Sequence, residues 1–413
     1  MLYLGFDVSK RTHECVLLSE DDQVLWRMSV RADRAGFDAL GQKLAEVDPQ
    51  RVIAGLESTG PYWQTLHLWL LRWGPSKLMV LNPLQTRAFR NANLRGSKTD
   101  RLDTVSIARL LRWSHHTLSS AHLPLERQDA ARQISRVRTE LTQERTKQLV
   151  RLKGILSVVF PEFEEELELT TKSAQAVLLR WPTPELLLKE ASLEELSGLL
   201  RKVSRGRSGV AKAERLLQRA RETTGVPDPH DGRGIVIRSL VMLVEPLEAQ
   251  IEALGKKLDE LLEVKAETVA LLMSLPGFGE ETVRTWMAES LPISQFQGND
   301  GAERLVATIG IDAKLKESGR FSGRVKMSKR GNRYLRRVVI LAARNAARVD
   351  PQCRAVLQRH LNRGKHYNVA VSHVARKLVH IAFAVLTNRK PYELPAAYRL
   401  GITEEPVPAA AGA

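Results

Sequence analysis

LYLGFDVSK, residues 2–10, sets a lone aspartate inside an apolar run. Leu2, Tyr3, Leu4, Gly5 and Phe6 predict a buried strand. A carboxylate at Asp7 is expensive there unless it is paired or binds a metal. The reading of the whole chain turns on what else faces Asp7.

Working outward, Glu14–Ser19 predicts a second strand, Glu20-Asp21-Asp22-Gln23 a polar turn and Val24–Val30 a third strand, together an antiparallel meander. Helical spacing follows over Gly36–Val47, through Phe37, Leu40, Leu44 and Val47. Val52–Leu56 is a short apolar strand ending at Glu57. Ser58-Thr59-Gly60-Pro61 then opens a helix, with Pro61 near its first turn. Leu78–Leu81 is a further strand, stopped by Asn82-Pro83. Strand, strand, strand, helix, strand, helix, strand is the order of an α/β, ribonuclease H-like fold.

Three more acids answer Asp7. Glu57 ends the strand expected to pair beside it, and Asp100 and Asp103 open a helix that begins SKTDRLDTVSIARLL, with Thr99 as its expected N-cap. A spacing of three puts both aspartates on one helical face. Each has an ordinary alternative, since first-turn acids complement a helix dipole and Glu57 can cap the helix after it. Asp7 has none, because a buried mid-strand acid has no routine structural use. Four carboxylates converge only if their repulsion is compensated. Magnesium, which takes oxygen ligands and organises phosphoryl transfer, is the cofactor this set predicts.

The chain of 413 residues carries 63 Lys and Arg against 47 Asp and Glu, a net charge of +16. That excess favours a polyanionic partner, most simply nucleic acid. Cys15 and Cys353 are the only cysteines, which excludes a disulfide framework or cysteine-rich zinc site and fits a reducing cytoplasm. No basic n-region precedes MLYLGFDV, so no signal peptide is expected, nor any apolar stretch long enough to span a membrane. His115-His116 is expected to be a surface pair without partners.

Two long helices are predicted. One runs from about 125 to 160, with Ile134, Val137, Leu141, Leu149, Leu152 and Ile155. The other runs from 234 to 265, with a near-heptad stripe through Leu240, Leu243, Leu247, Ile251, Leu254, Leu258 and Leu261. Short helices fill the insert at about 160–230. A coiled-coil arm for spacing or self-association is the expectation.

A basic run follows. ESGRFSGRVKMSKRGNRYLRRVVILAARNAARV, residues 317–349, has no acid after Glu317. Arg320, Arg324, Lys326, Lys329, Arg330, Arg333, Arg336 and Arg337 are candidate nucleic-acid contacts. Its Gly- and Ser-rich first half is expected to be a loop, and a helix to begin at Asn332. Ser318, Ser322 and Ser328 lie in that loop. A serine beside arginines can attack a phosphodiester, although composition alone also fits ordinary polar loop residues. LMSLPGFGEETV, residues 272–283, resembles a helix-hairpin-helix turn, with Gly277 and Gly279 as candidate phosphate contacts.

GFDVSK, ESTGPY (57–62), NPLQTRAF (82–89), SKTDRLD (97–103), LPGFG (275–279) and SGRFSGRVKMSKRGNRYLRR, in this order, resemble the DEDD insertion-sequence transposases of the IS one-ten type, a family related to Piv invertase that includes bridge-RNA-guided recombinases. The resemblance implies a RuvC-like DEDD domain over 1–120. It implies a coiled-coil arm over 121–268 and a mainly α C-terminal transposase domain over 269–395, while the Ala- and Pro-rich end of the chain leads us to expect a disordered tail at 396–413. It implies metal ligands Asp7, Glu57, Asp100 and Asp103, and Ser318 as nucleophile, with Ser322 its near neighbour. It also implies a structured guide RNA, donor and target DNA, and a homo-oligomer from dimer to tetramer in which one subunit's serine meets another's carboxylates.

Three functions compete: a recombinase working through a phosphoserine link, a RuvC-like hydrolytic junction nuclease using water, and a non-catalytic nucleic-acid scaffold. The acidic tetrad argues against the scaffold, and Ser318 separates the first two.

Overall fold

The computed structural model describes residues 1–58, 60–92, 100–116, 126–207, 209–262, 266–314, 317–318, 321–322 and 326–399. Thr99 and the tail beyond Arg399 lie outside them. The chain divides into two compact units, 1–124 and 125–413.

In the first unit, β1 (Leu2–Val8), β2 (Thr12–Leu18) and β3 (Val24–Arg31) precede α1 (Arg34–Leu44), β4 (Val52–Glu57), α2 (Trp63–Trp73), β5 (Lys77–Leu81), α3 (Pro83–Ala92) and α4 (Asp100–Ser114). The sheet order is β3-β2-β1-β4-β5, with the meander antiparallel and β1-β4-β5 parallel. This is the mixed sheet expected of the fold class. Alternation along each strand builds two faces. Leu4, Phe6, Val8, Leu17, Ala54 and Leu56 point to a core closed by Leu40 and Leu44 of α1 and Leu66 and Leu70 of α2. Tyr3, Val16, Leu18, Ile53, Met79 and Leu81 point the other way, against Val105, Ile107, Ala108, Leu110 and Leu111 of α4. Two glycines let α4 settle close. A Cβ on Gly5 would stand 2.7 Å from the Ala108 nitrogen, and one on Gly55 would stand 2.6 Å from Leu111 Cδ2. His115 is not the unpartnered surface residue the sequence suggests. Its Nδ1 lies 3.0 Å from the Leu111 carbonyl, and its ring packs against Tyr3, 5.9 Å between centroids.

The second unit is mainly helical. α5 (Glu126–Val159) leads through α6 (Phe163–Glu166), α7 (Lys172–Arg180), α8 (Pro184–Glu190), α9 (Leu193–Val203) and α10 (Val210–Arg221) to α11 (Gly232–Leu262). α5 and α11 are antiparallel partners. Arg127 donates to the carbonyls of Leu261 and Glu260, Arg138 to that of Ile251, and Arg145 pairs with Glu248 at 2.8 Å. At one end of the pair Leu152 and Leu156 meet Ile237, Leu240 and Val241, in a core shared with the short helices of the insert. At the other end Ala131 meets Leu258 and Ala288. Pro246 lies inside α11, between those ends. The inward stripe differs from the predicted one at one step: Val244 is buried and Leu243 is exposed.

α12 (Ala266–Met273), α13 (Glu280–Glu289) and α14 (Gly301–Ile309) follow. The expected loop is a narrow hairpin. β6 (Ala313–Lys314) pairs with β9 (Lys326–Met327), and inside them β7 (Glu317–Ser318) pairs with β8 (Phe321–Ser322). α15 (Arg333–Val349), α16 (Pro351–Asn362), α17 (Tyr367–Asn388) and α18 (Ala396–Arg399) complete the unit. Contrary to the sequence expectation, α17 is long and apolar enough to cross a membrane. Ala370, Val371, Val374, Ala375, Leu378, Val379 and Ala382 place it instead in the unit's core, with Leu335, Val339 and Ala342 of α15. Residues 396–399 of the expected disordered tail form α18 instead, which buries Tyr398, and the rest of that tail lies outside the described residues.

Candidate active site

Asp7 and Glu57 stand at the carboxyl ends of adjacent parallel strands. Pairing runs Leu2↔Val52 through Phe6↔Leu56, so Asp7 and Glu57 are the next step of the same register. Phe6 and Leu56 face the α1/α2 core, and alternation turns both acids to the α4 face. Both are partly buried. Thr86 of α3, itself buried, donates from Oγ1 to Glu57 Oε2 at 2.8 Å. Ser58 fastens the strand end, its nitrogen and Oγ reaching the Leu81 carbonyl at 3.0 and 3.1 Å.

The direction of α4 carries its first turn toward these acids. Gly5 lies under Ala108 and Tyr3 lies beside His115, so α4 runs antiparallel to β1. From Gly5 to Asp7 is about 6.6 Å along the strand. Five residues back from Ala108 is about 7.5 Å of helix, which brings the backbone at Asp103 level with Asp7. Asp100 and Asp103 occupy the first turn of α4, and their side chains lie outside the described residues. Among the described residues no three of His, Cys, Asp and Glu gather around one point. Sequence reading missed one acid: Glu14 opposes Asp7 across β1 and β2, on the same face as Val16 and Leu18. It missed Thr86 too, although that residue sits in the NPLQTRAF motif.

In the second unit, Ser318 pairs with Phe321 and Ser322 with Glu317 across the hairpin. Arg320 and Arg324 lie outside the described residues, as do the side chains of Ser318, Ser322 and Lys326. Ser328 is engaged at the hairpin base, its nitrogen donating to the Asp312 carbonyl at 2.9 Å and its hydroxyl to the Asp312 carboxylate. Lys329 and Arg330 are exposed, and Arg337 is half-buried.

Other parts of the basic run serve the fold. Arg336 Nη1 donates to the carbonyls of Ile309 (2.9 Å) and Gly331 (3.3 Å), and desolvation pulls its pKa down. Asn332 caps α15, its Oδ1 accepting from the nitrogens of Tyr334 and Leu335, while its Nδ2 donates to Glu289 Oε2 at 2.6 Å. Glu289 is a wholly buried carboxylate. Arg136 of α5 meets it through two bonds of 2.7 and 3.0 Å, and Arg132 Nε stands 3.7 Å away. That hydrogen bonding raises the Arg136 pKa, whereas burial lowers that of Arg132. Arg136 and Arg333 both stack on Tyr334, whose hydroxyl donates to Glu140 at 2.7 Å. This cluster fixes the start of α15 to α5. Sequence reading missed it, because the partners lie some 150 residues apart.

Gly277 has a packing role. At φ +76° it presses on α15, where a Cβ would stand 2.2 Å from the Ala342 carbonyl oxygen. Gly279 is the N-cap of α13 with open space beside it, and Glu280 and Glu281 occupy that helix's first turn.

Comparison with known proteins joins the two regions. A family profile described as a DEDD transposase of the IS110 type matches residues 4–161. One described as Transposase IS116/IS110/IS902 family matches residues 269–358. The 43.6 kDa protein of insertion element IS110 from Streptomyces coelicolor is 28% identical over 97% of this chain and 98% of its own. The 42 kDa protein of insertion element IS900 from Mycobacterium paratuberculosis is 25% identical over 95% of this chain and 97% of its own. Profiles on both functional regions and relatives that run end to end agree: the chain belongs to the IS110 family of insertion-element transposases, enzymes that act on DNA.

Proposed function

We propose that this transposase cuts and rejoins DNA through a phosphoserine link to Ser318. Asp7, Glu57, Asp100 and Asp103 would hold magnesium. The supporting observation is the register that sets Asp7 and Glu57 side by side on the sheet face covered by α4, which begins at Asp100. Carboxylate oxygens are the donors a hard divalent cation takes. Once bound, magnesium supplies charge neutralisation at the scissile phosphate.

The remaining chemistry belongs to side chains. Ser318 Oγ attacks phosphorus, forming the Oγ–P bond as the P–O bond to the leaving nucleoside oxygen breaks. The serine proton departs and the leaving oxygen gains one. Arg320, Arg324 and Lys326 steady the phosphate charge, and Lys329, Arg330, Arg333 and Arg337 extend the contact along the backbone. Attack by the incoming strand's oxygen reverses the exchange and releases serine, so rejoining needs no nucleotide cofactor. A structured RNA selects the DNA, and the work proceeds in the cytoplasm.

A homo-oligomer brings one subunit's serine to another's acids. Val150 and Leu243, and Val158 and Ile235, are exposed at matching levels of the α5–α11 pair, leaving an apolar stripe for a second copy. Light scattering with DNA and RNA present should give a dimer or larger, and a monomer would count against the shared site. RNase treatment should abolish site choice, and unchanged choice would mean that the protein reads its target.

The decisive experiment traps the reaction on DNA whose second step is blocked and maps the adduct by mass spectrometry. An adduct on Ser318 is expected, and Ser318→Ala should yield none. An adduct on Ser322 moves the nucleophile across the hairpin. Cleavage without an adduct identifies a hydrolytic nuclease.

A further inference from the structure

Between Glu317 and Glu393 the chain has a single acid, Asp350. It is buried, capping α16 through the Cys353 nitrogen at 2.8 Å and accepting from the Tyr392 hydroxyl at 2.8 Å. The surface of α16 and α17 is therefore built without carboxylates of its own. Cations gather in one place on it. His373, Arg376, Lys377 and His380 follow the spacing i, i+3, i+4, i+7, which sets them on one face of α17. Val356, Arg359 and His360 of α16 face them across a cleft of about 280 Å³. The rings of His360 and His373 stack 3.7 Å apart and within 5° of parallel. His360 Nδ1 is shielded from solvent with no hydrogen-bond partner among the described residues. Glu303 of α14 brings a carboxylate to the cleft, held by Arg376 at 2.6 and 2.7 Å and lying 3.2 Å from His380 Nε2. The transposase profile ends at residue 358, before these histidines.

We propose that the α16–α17 cleft binds a nucleic-acid phosphodiester, separately from the basic run at 320–337. Arg359 and Lys377 supply fixed charge, Arg376 is offset by Glu303, and the stacked histidines supply charge on demand. Two protonated imidazoles in face-to-face contact repel, so an empty cleft keeps at least one neutral. His360 is held below the ordinary histidine range by desolvation and then by His373, Arg363, Arg359 and Lys365. His373 is held down by desolvation and then by Arg376 and Lys365. His380 feels desolvation first, with Glu303 opposing it and Arg376 and Lys377 adding to it. A seated phosphodiester stabilises the imidazolium forms and raises these pKa values. Binding then takes up protons, and affinity rises as pH falls.

Full-length protein titrated with labelled duplex DNA and with a labelled RNA hairpin, at constant ionic strength, tests this independently of the serine assignment. It reads binding, so failure of the adduct experiment and failure here are separate results. Affinity should rise about five- to tenfold between about pH 8 and about pH 6, since one linked proton changes it at most about tenfold per pH unit. His360→Gln and His373→Gln should each flatten that rise. Arg359→Gln should lower the duplex log–log salt slope by about 0.9 at both pH values. His373 is exposed, so its variant carries the test should His360→Gln melt early. Flattening with DNA alone, RNA alone or both names the ligand. An undiminished pH response with both overturns the proposal.

Discussion

The two units place charge in opposite ways. In the first, acids sit at strand ends, and the register aims Asp7, Glu57 and Glu14 at one face of the sheet. In the second, from Glu317 to Glu393, the single carboxylate is turned inward as a cap, leaving a cationic exterior. The proposed function needs this opposition, since a surface suited to a cation would repel a phosphate and one suited to a phosphate would repel a cation. Elsewhere in the second unit, Glu289 shows what a structural acid looks like: it is buried and met by two arginines and an amide.

If the strand-end acids are catalytic and Glu289 is structural, substitutions will separate them. Asp7→Ala, like Asp103→Ala, should lower strand exchange about a thousandfold or more, the equivalent of about 4 kcal/mol of barrier. Its melting temperature should hold or rise, because one member of a like-charged group is gone. Normal exchange in magnesium would overturn the contrast. Glu289→Ala should do the reverse, costing about 3–5 kcal/mol of stability by stranding Arg136 and Asn332, read by denaturant unfolding. A loss of activity without a loss of stability would move Glu289 into the chemistry.

Gly5→Ala should cost about 1–3 kcal/mol, because the new methyl meets the Ala108 backbone and lifts α4 from the sheet. Activity should fall further than stability explains, since the first turn of α4 moves with the helix. A variant equally stable but inactive would sharpen the case for α4 as the site's lid. The smallest effect belongs to Arg330, exposed beyond the hairpin. Arg330→Gln should leave the melting temperature unchanged and lower the duplex salt slope by about 0.9.

The sheet was legible because its signals are local and repeated. The short apolar runs LYLGFDV and VIAGLE, buried on both faces and punctuated by polar turns, mark the strands on which Asp7 and Glu57 stand. The start of a helix at Asn332 was legible for the same reason, although its role as N-cap was not read. The hairpin at 313–327 was not, because strands of two residues have no period to detect and their Gly and Ser read as loop. Glu289 was hidden because its partners come from α5 and from the cap of α15. The proximity of Gly277 to Ala342 was hidden likewise, since a turn glycine carries no mark of what will press on it.

Pro246 gives the α5–α11 pair a mechanical character. Proline removes one ladder hydrogen bond and crowds the preceding turn. Here it falls between two apolar ends, in a middle crossed by the Arg138–Ile251 hydrogen bond and the Arg145–Glu248 ion pair and flanked by Thr139 and Gln148. A rod clamped at both ends and notched at the centre concentrates bending at the notch. The pair is therefore a strut whose weakest point is set by one residue, away from the apolar contacts at its two ends.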